Sequence, residues 1–329
     1  MTLRGFSQGL TAETVLIRSD DGLEDFYADN NIQEWLDDEP TMDNVVDARL
    51  AMQLLTRIDP AATDMANSET AMDVVVASET AMDGVAASET AMDAVGASET
   101  ARDAVRDSDL AFDTVAGVNM AIGKFAAGDA GLDPTEYADM DAVAASETAM
   151  DAVAASETAM DAVAASTPAR SAVLGSSVAA DAVWSSELAS ERIWEEGDTF
   201  FRSGAEEDAD VNFVQDFDDT ARNLEIHVDS QDNTEGEDGW SLVLDFSNYS
   251  QLKVQTEFEP ISETGREDRF PLRVKVDGDE LLSVEPHTRT DRDLDVSTYD
   301  GEQELKLVSE VLNAIDDEWK HKFGELQFE

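Results

Sequence analysis

The chain of 329 residues carries 75 Asp and Glu against 21 Lys and Arg, a formal net charge of −54. That balance excludes nucleic acid as a partner, because phosphate contacts need clustered Lys and Arg. The absence of cysteine excludes a disulfide framework, a thiolate metal site and a Cys nucleophile.

The acidic residues interleave with apolar ones instead of forming a tail, and at molar salt the Debye length falls to about 3 Å. The composition therefore predicts a folded protein from a high-salt environment. Met1-Thr2-Leu3-Arg4 leads into no apolar h-region, and no run approaches about 18 apolar residues. Neither a secretory signal nor membrane insertion is expected.

Residues 1–40 read as an N-terminal attachment unit. Thr14-Val15-Leu16-Ile17 is strand-like, Asp20-Asp21-Gly22 is a turn, and Phe26, Tyr27, Ile32 and Trp35 supply apolar and aromatic anchors. These aromatics suit either docking onto a larger assembly or capping of the adjoining repeats.

The repeats are decads of the form Ser78-Glu79-Thr80-Ala81-Met82-Asp83-Gly84-Val85-Ala86-Ala87. They fill a first block over 41–127 and a second over 140–184, with a joint at 128–139 and a collar at 185–204. The interruption is read as a loop beginning near Gly123, and the register shifts across it, Ile122 to Met140 being eighteen residues. The packing stripe is Met72, Val75, Met82, Val85, Met92 and Val95 in the first block and Met150, Val153, Met160 and Val163 in the second. Ser78, Ser88 and Ser98 are expected N-caps, with Glu79, Glu89 and Glu99 in the first helical turn.

In one straight helix ten residues advance about 1000°, so the stripe slips by about 80° per repeat. Either several chains twist about one another, or each repeat is a short helix that ends near Ala-Ala-Ser and stacks on its neighbours. Gly84, Gly96, Gly117 and Pro168 favour interruptions. Short helical units stacked in a homotrimeric shaft are the expectation.

From residue 205 to 329 the pattern becomes short strands and turns. Strands are expected over Val211–Phe217, Leu224–Val228, Trp240–Phe246, Leu252–Phe258, Phe270–Val276, Leu281–Val284, Leu294–Val296 and Glu304–Leu312. Asp277-Gly278 marks a hairpin. Asp245-Phe246-Ser247-Asn248-Tyr249 and Asp295-Val296-Ser297-Thr298-Tyr299 echo each other, each ending one strand and leading to the next. The expected fold is multidomain α plus β: an elongated helical decad-repeat shaft followed by a C-terminal antiparallel β-sandwich of jelly-roll type.

Decads of the Ala-Ser-Glu-Thr-Ala-Met-Asp-Ala-Val type resemble the repeats of tail-fibre and related tail proteins of tailed viruses, and the two echoing phrases resemble those of β-sandwich carbohydrate-binding modules. With the acidic composition, the resemblance implies a receptor-binding tail protein of a virus of haloarchaea. It covers the repeats and the last part of the chain, not residues 1–40. It implies a homotrimer in the virion tail, extracellular in high salt. Its N-terminal unit would meet other tail or baseplate proteins, and its sandwich a host surface glycan or glycoprotein. A halophile's surface adhesin or scaffold, and a fibre-borne polysaccharide-degrading enzyme, are the alternatives.

For glycan binding the candidates are Trp240, Tyr249 and Tyr299 as stacking rings, with His287, Arg289 and Arg292 facing sugar carboxylates. Intrachain pairing with neighbouring acids is the competing reading of that loop. His227 reads as structural. Asp229, Asp232, Glu235 and Asp238 offer hard oxygens for Ca²⁺, but the stretch lacks the EF-hand order, which favours a solvated loop. No other cofactor is expected. No Gly-x-Ser-x-Gly, phosphate loop or His-Glu-x-x-His occurs, and no carboxyl is marked for an apolar pocket, so an enzyme is not expected.

Overall fold

A computed structural model describes residues 32–46, 49–193, 195–196, 200–201, 211–218, 223–230, 234–247, 249–260, 272–284, 290–314 and 317–328. The expected strand at Thr14–Ile17, Phe26 and Tyr27 lie outside the described residues. The chain divides into two compact units, 1–143 and 144–329.

In the first unit the repeats are α1 (Gln33–Leu36), α2 (Glu39–Val46), α3 (Arg49–Arg57), α4 (Asp59–Ala66), α5 (Glu69–Val76), α6 (Glu79–Ala86), α7 (Glu89–Ala97), α8 (Glu99–Arg106), α9 (Asp109–Ala116) and α10 (Asn119–Asp129). Each consensus decad is one short helix and its corner. In the corner after α5, Ala77 stays near helical angles (φ −84°, ψ −9°) and Ser78 swings to extended ones (φ −111°, ψ 111°). One extended residue is enough to redirect the chain. The serine then caps the new helix by accepting the N–H of Ala81 at 3.3 Å.

Every third corner brings the chain back over itself, so α5 packs on α2, α7 on α4, α8 on α5 and α9 on α6. The result is a three-sided solenoid within one chain. Met72, Val75, Met82, Val85, Met92 and Val95 are all fully buried inside it. The expectation of partner chains rests on the need to cover this stripe, and the chain covers it alone.

A second role of the serines locks the rungs. The Ser98 hydroxyl donates to the Ala66 carbonyl at 2.7 Å while accepting from Ala101 N–H. Ser68 reaches Leu36 and Ser108 reaches Val76 in the same way. Each such hydroxyl satisfies an orphan donor at one helix start and an orphan acceptor at the helix end one rung below.

Gly123 and Gly128 lie inside α10, so the helix runs through the first part of the expected loop, and the chain turns only at Gly131 (φ 74°) before a 3₁₀ turn at Pro134–Glu136. Gly84 sits mid-helix without breaking it, and Pro168 starts a helix instead of ending one.

The repeats place Glu and Asp four apart on the outer face, as at Glu79 and Asp83, and such like-charge pairs cost about 0.2–0.5 kcal/mol each before screening. Melting followed by far-UV circular dichroism is therefore expected to move to much higher temperature between 0.05 and 2 M KCl (about thirteen to about 2 Å of screening length). A salt-independent transition would contradict this.

Next along the chain, α11 (Met140–Ala144) leads into the second unit's α12 (Glu147–Ala154), α13 (Glu157–Ala165), α14 (Thr167–Leu174), α15 (Ser177–Trp184) and α16 (Glu187–Ile193). Met150, Val153, Met160 and Val163 are fully buried, α12 packs on α15, α13 packs on α16, and Ser176 and Ser186 bridge back to Ala144 and Ala154. Part of the expected collar is thus a further repeat. Beyond it, β1 (Glu195–Glu196) and β2 (Phe200–Phe201) join a sheet.

The remaining strands are β3 (Val211–Asp218), β4 (Asn223–Ser230), β5 (Thr234–Asp245), β6 (Gln251–Pro260), β7 (Leu272–Val276), β8 (Asp279–Val284), β9 (Thr290–Asp295), β10 (Glu302–Ala314) and β11 (Asp317–Phe328). One sheet runs β1-β5-β10-β7-β8 with β2 also on β5, and the other runs β3-β4-β11-β6-β9, with antiparallel pairing throughout. Leu242, Leu244, Leu305 and Leu307 from one sheet, and Leu252, Val254, Leu294 and Phe323 from the other, are buried. The α-plus-β expectation with an antiparallel C-terminal part holds. The final strand, β11, lies beyond the expected set. Its charged run Asp317 to Lys322 hides the alternation that marks the other strands.

Candidate functional site

The two echoing phrases form a pair of arches at which the chain crosses between sheets. The first carries β5 to β6, the second carries β9 to β10. Asp245 Oδ1 accepts the N–H and hydroxyl of Ser247 at 2.9 and 2.6 Å, and Asp295 Oδ1 does the same for Ser297 at 3.0 and 2.6 Å. Tyr249 N–H donates to Phe246 O and Tyr299 N–H to Val296 O. The arches lock onto each other, Phe246 N–H on Gly301 O and Val296 N–H on Ser250 O. The bonds from Ser297, first its hydroxyl and then its N–H, hold the Asp295 carboxyl below the usual carboxylate range.

The arches differ in what they meet. At the first, Tyr249 donates its hydroxyl to Ser171 O at 2.8 Å, and Asp245 N–H donates to the Ser171 hydroxyl at 2.8 Å. Beside them Arg170 Nε donates to Val243 O at 2.9 Å and a second guanidinium nitrogen to Ala164 O. Arg170 and Ser171 stand where the decad has Met and Asp, and they fasten the sandwich to α14. A departure from the repeat was the sequence signal for this contact.

At the second arch Tyr299 is half-buried with its ring 6.0 Å from that of Phe246, while Asp295, Ser297, Thr298 and Asp300 are exposed. Burial, then Asp279 and Asp277, push the Tyr299 hydroxyl above its usual range. Asp277 (φ 48°) and Gly278 (φ 85°) form the expected hairpin turn between β7 and β8.

The other sequence-predicted residues scatter. Trp240 is buried in β5, paired across to Leu307, and its Nε1 meets no acceptor among the described residues. Arg292 is half-buried in β9 opposite Val254. His287, Arg289 and Asp232 lie outside the described residues. The stretch expected as an acidic loop is mostly strand: Asp229 belongs to β4, and Glu235 and Asp238 to β5. Among the described residues no group of three or more metal-ligating side chains converges, and no described helix is long and apolar enough to cross a membrane.

No protein-family model matches the chain, and no curated protein matches it. Solved structures do. A carbohydrate-binding module described for specific mannan recognition is 11% identical over 44% of this chain and 92% of its own, with a TM-score of 0.28. A carbohydrate-binding module in complex with calcium and xylotriose is 15% identical over 41% of this chain and 98% of its own, at 0.23. A secreted serine protease from Vibrio cholerae is 10% identical over 41% of this chain and 44% of its own, also at 0.23. Likenesses this distant assign no ligand or activity, and the fold rests on the strand order itself.

Proposed function

We propose that this is a non-catalytic recognition protein, in which a helical solenoid presents a glycan-binding β-sandwich. The observation that supports it is the asymmetry of the arches. One is consumed in fastening the sandwich to α14, and its counterpart carries a half-buried tyrosine in a turn whose Asp295, Ser297, Thr298 and Asp300 are exposed. An aromatic face beside several hydroxyls and carboxylates suits a sugar ring with its equatorial hydroxyls. In its finer form the proposal is a tail fibre of a virus of haloarchaea, with residues 1–40 on the virion. The decads and the charge of −54 support that form. The repeat core asks for no second chain, so trimerisation would use other surfaces.

The sandwich shares buried polar contacts with α14, so the test uses the full chain. On a glycan array in molar KCl, selective binding to some glycans is expected, lost in Tyr299→Ala, with no new reducing ends released. Uniform background on every glycan would refute the reading.

A further inference from the structure

Cations in this acidic chain find carboxylates close at hand. Lys124 pairs with Asp93, Arg192 with Glu157, Arg102 with Asp129 at 2.9 Å and Arg273 with Glu280 at 2.6 Å. Arg292 departs from this rule. It is half-buried, and its Nε is enclosed without a hydrogen-bond partner. Among the described residues no carboxylate pairs with its guanidinium.

The register of β9 gives the reason. Along this strand Thr290, Arg292 and Leu294 alternate with exposed Asp291, Asp293 and Asp295. Leu294 is buried and Arg292 stands opposite buried Val254, so Arg292 lies on the core-facing side of the sheet. The three aspartates lie on the other side. Its neighbours on the core-facing side, Val254, Thr256 and Leu294, bring no charge. Strand β9 is the edge of its sheet, and β8, which approaches it, is the edge of the other. The guanidinium therefore stands at the margin of the sandwich core, between two edge strands. An inward charge on an edge strand also deters pairing with another chain. That role is served by a charged head in water, whereas the Nε of Arg292 is withdrawn from it. An enclosed donor without an acceptor weakens a fold, and a chain with 75 acidic residues has left this one unmatched.

We propose that Arg292 anchors a carboxylate of the bound glycan, so that the sandwich selects sugars bearing an acid group, the uronates. The inference rests on the glycan-binding reading above. Strand β9 runs into the second arch, and Asp295 lies three residues on, about 10 Å along the strand. A guanidinium fork matches a carboxylate and donates two parallel bonds to it. One cation balances one negative charge. A phosphate dianion would keep an uncompensated charge in the field of a chain at −54, so the carboxylate is the better fit.

The test compares the full chain with Arg292→Met and Arg292→Lys in molar KCl, on an array that pairs each uronate-bearing glycan with its methyl ester. Wild type is expected to prefer the free acid roughly tenfold or more. Arg292→Met should lose that preference and bind the esters as wild type does. Arg292→Lys keeps the charge without the fork and should retain only part of the preference. Without glycan, Arg292→Met should melt no lower than wild type, since it removes an unmatched donor. Equal binding of acid and ester by wild type, an undiminished preference in Arg292→Met, or a lower melting temperature of that variant overturns the proposal and leaves the glycan reading standing. Absence of binding to every glycan refutes that reading itself, and this inference with it.

Discussion

Gly128→Ala is expected to disrupt the last rung of the first unit, lowering its urea midpoint by the equivalent of about 3 kcal/mol or more. A Cβ at that position would lie 2.0 Å from Gly96 O and 2.8 Å from Gly96 C. The opposing atoms are backbone, so no side-chain rotation relieves the contact. Gly96 is equally confined, its own Cβ falling 2.7 Å from Lys124 O. At this crossing α7 and α10 touch main chain to main chain. Gly84→Ala is expected to have the opposite sign. It lies in the middle of α6 with nothing within 4 Å of a new Cβ, so alanine should stabilise by about 0.5–1 kcal/mol through helix propensity. Circular dichroism in urea at molar KCl reads both, and equal stability of Gly128→Ala and wild type would show that the two helices are not in contact.

Ser98→Ala is the second large effect. Ser98 is 6% exposed; losing its cap costs about 1 kcal/mol, and stranding the Ala66 carbonyl costs about 1–3 kcal/mol more. Ser98→Asp separates the two roles. Aspartate caps a helix as well as serine does but has no proton to give, and it would set a carboxylate against a carbonyl oxygen. It is therefore expected to be no better than alanine. Among the described residues the Ser78 hydroxyl makes only the cap bond, from Ala81 N–H, so Ser78→Asp should be close to neutral. A neutral Ser98→Asp would mean that the inter-rung bond contributes nothing.

How much of this was legible depends on the distance over which each interaction acts along the chain. The caps at Ser78, Ser88 and Ser98, the Asp277-Gly278 hairpin and the turns on Ser247 and Ser297 each join residues at most four apart. Residue types alone announce them. Gly84 and Gly128 look alike in sequence, yet one faces open space and the other a backbone more than thirty residues away. Lys124, Arg170 and Arg192 were visible as departures from the decad, but their partners were not. Of the residues proposed for glycan contact, Trp240 went into the core and Tyr249 onto α14, because an aromatic in a strand pattern does not say which surface will cover it. Tyr299 stayed half-open.

From the amino acids in order came the helical decad, its serine caps, the strand-rich last third and the acidic surface, since period, capping chemistry and charge are local properties. Closure of the repeats within one chain was decided by tertiary structure. A stripe of Met and Val requires a cover without specifying whose. The single extended residue at each corner, a serine in the consensus decads, sets the turning angle that lets every third helix meet, and only that geometry shows the chain covering itself.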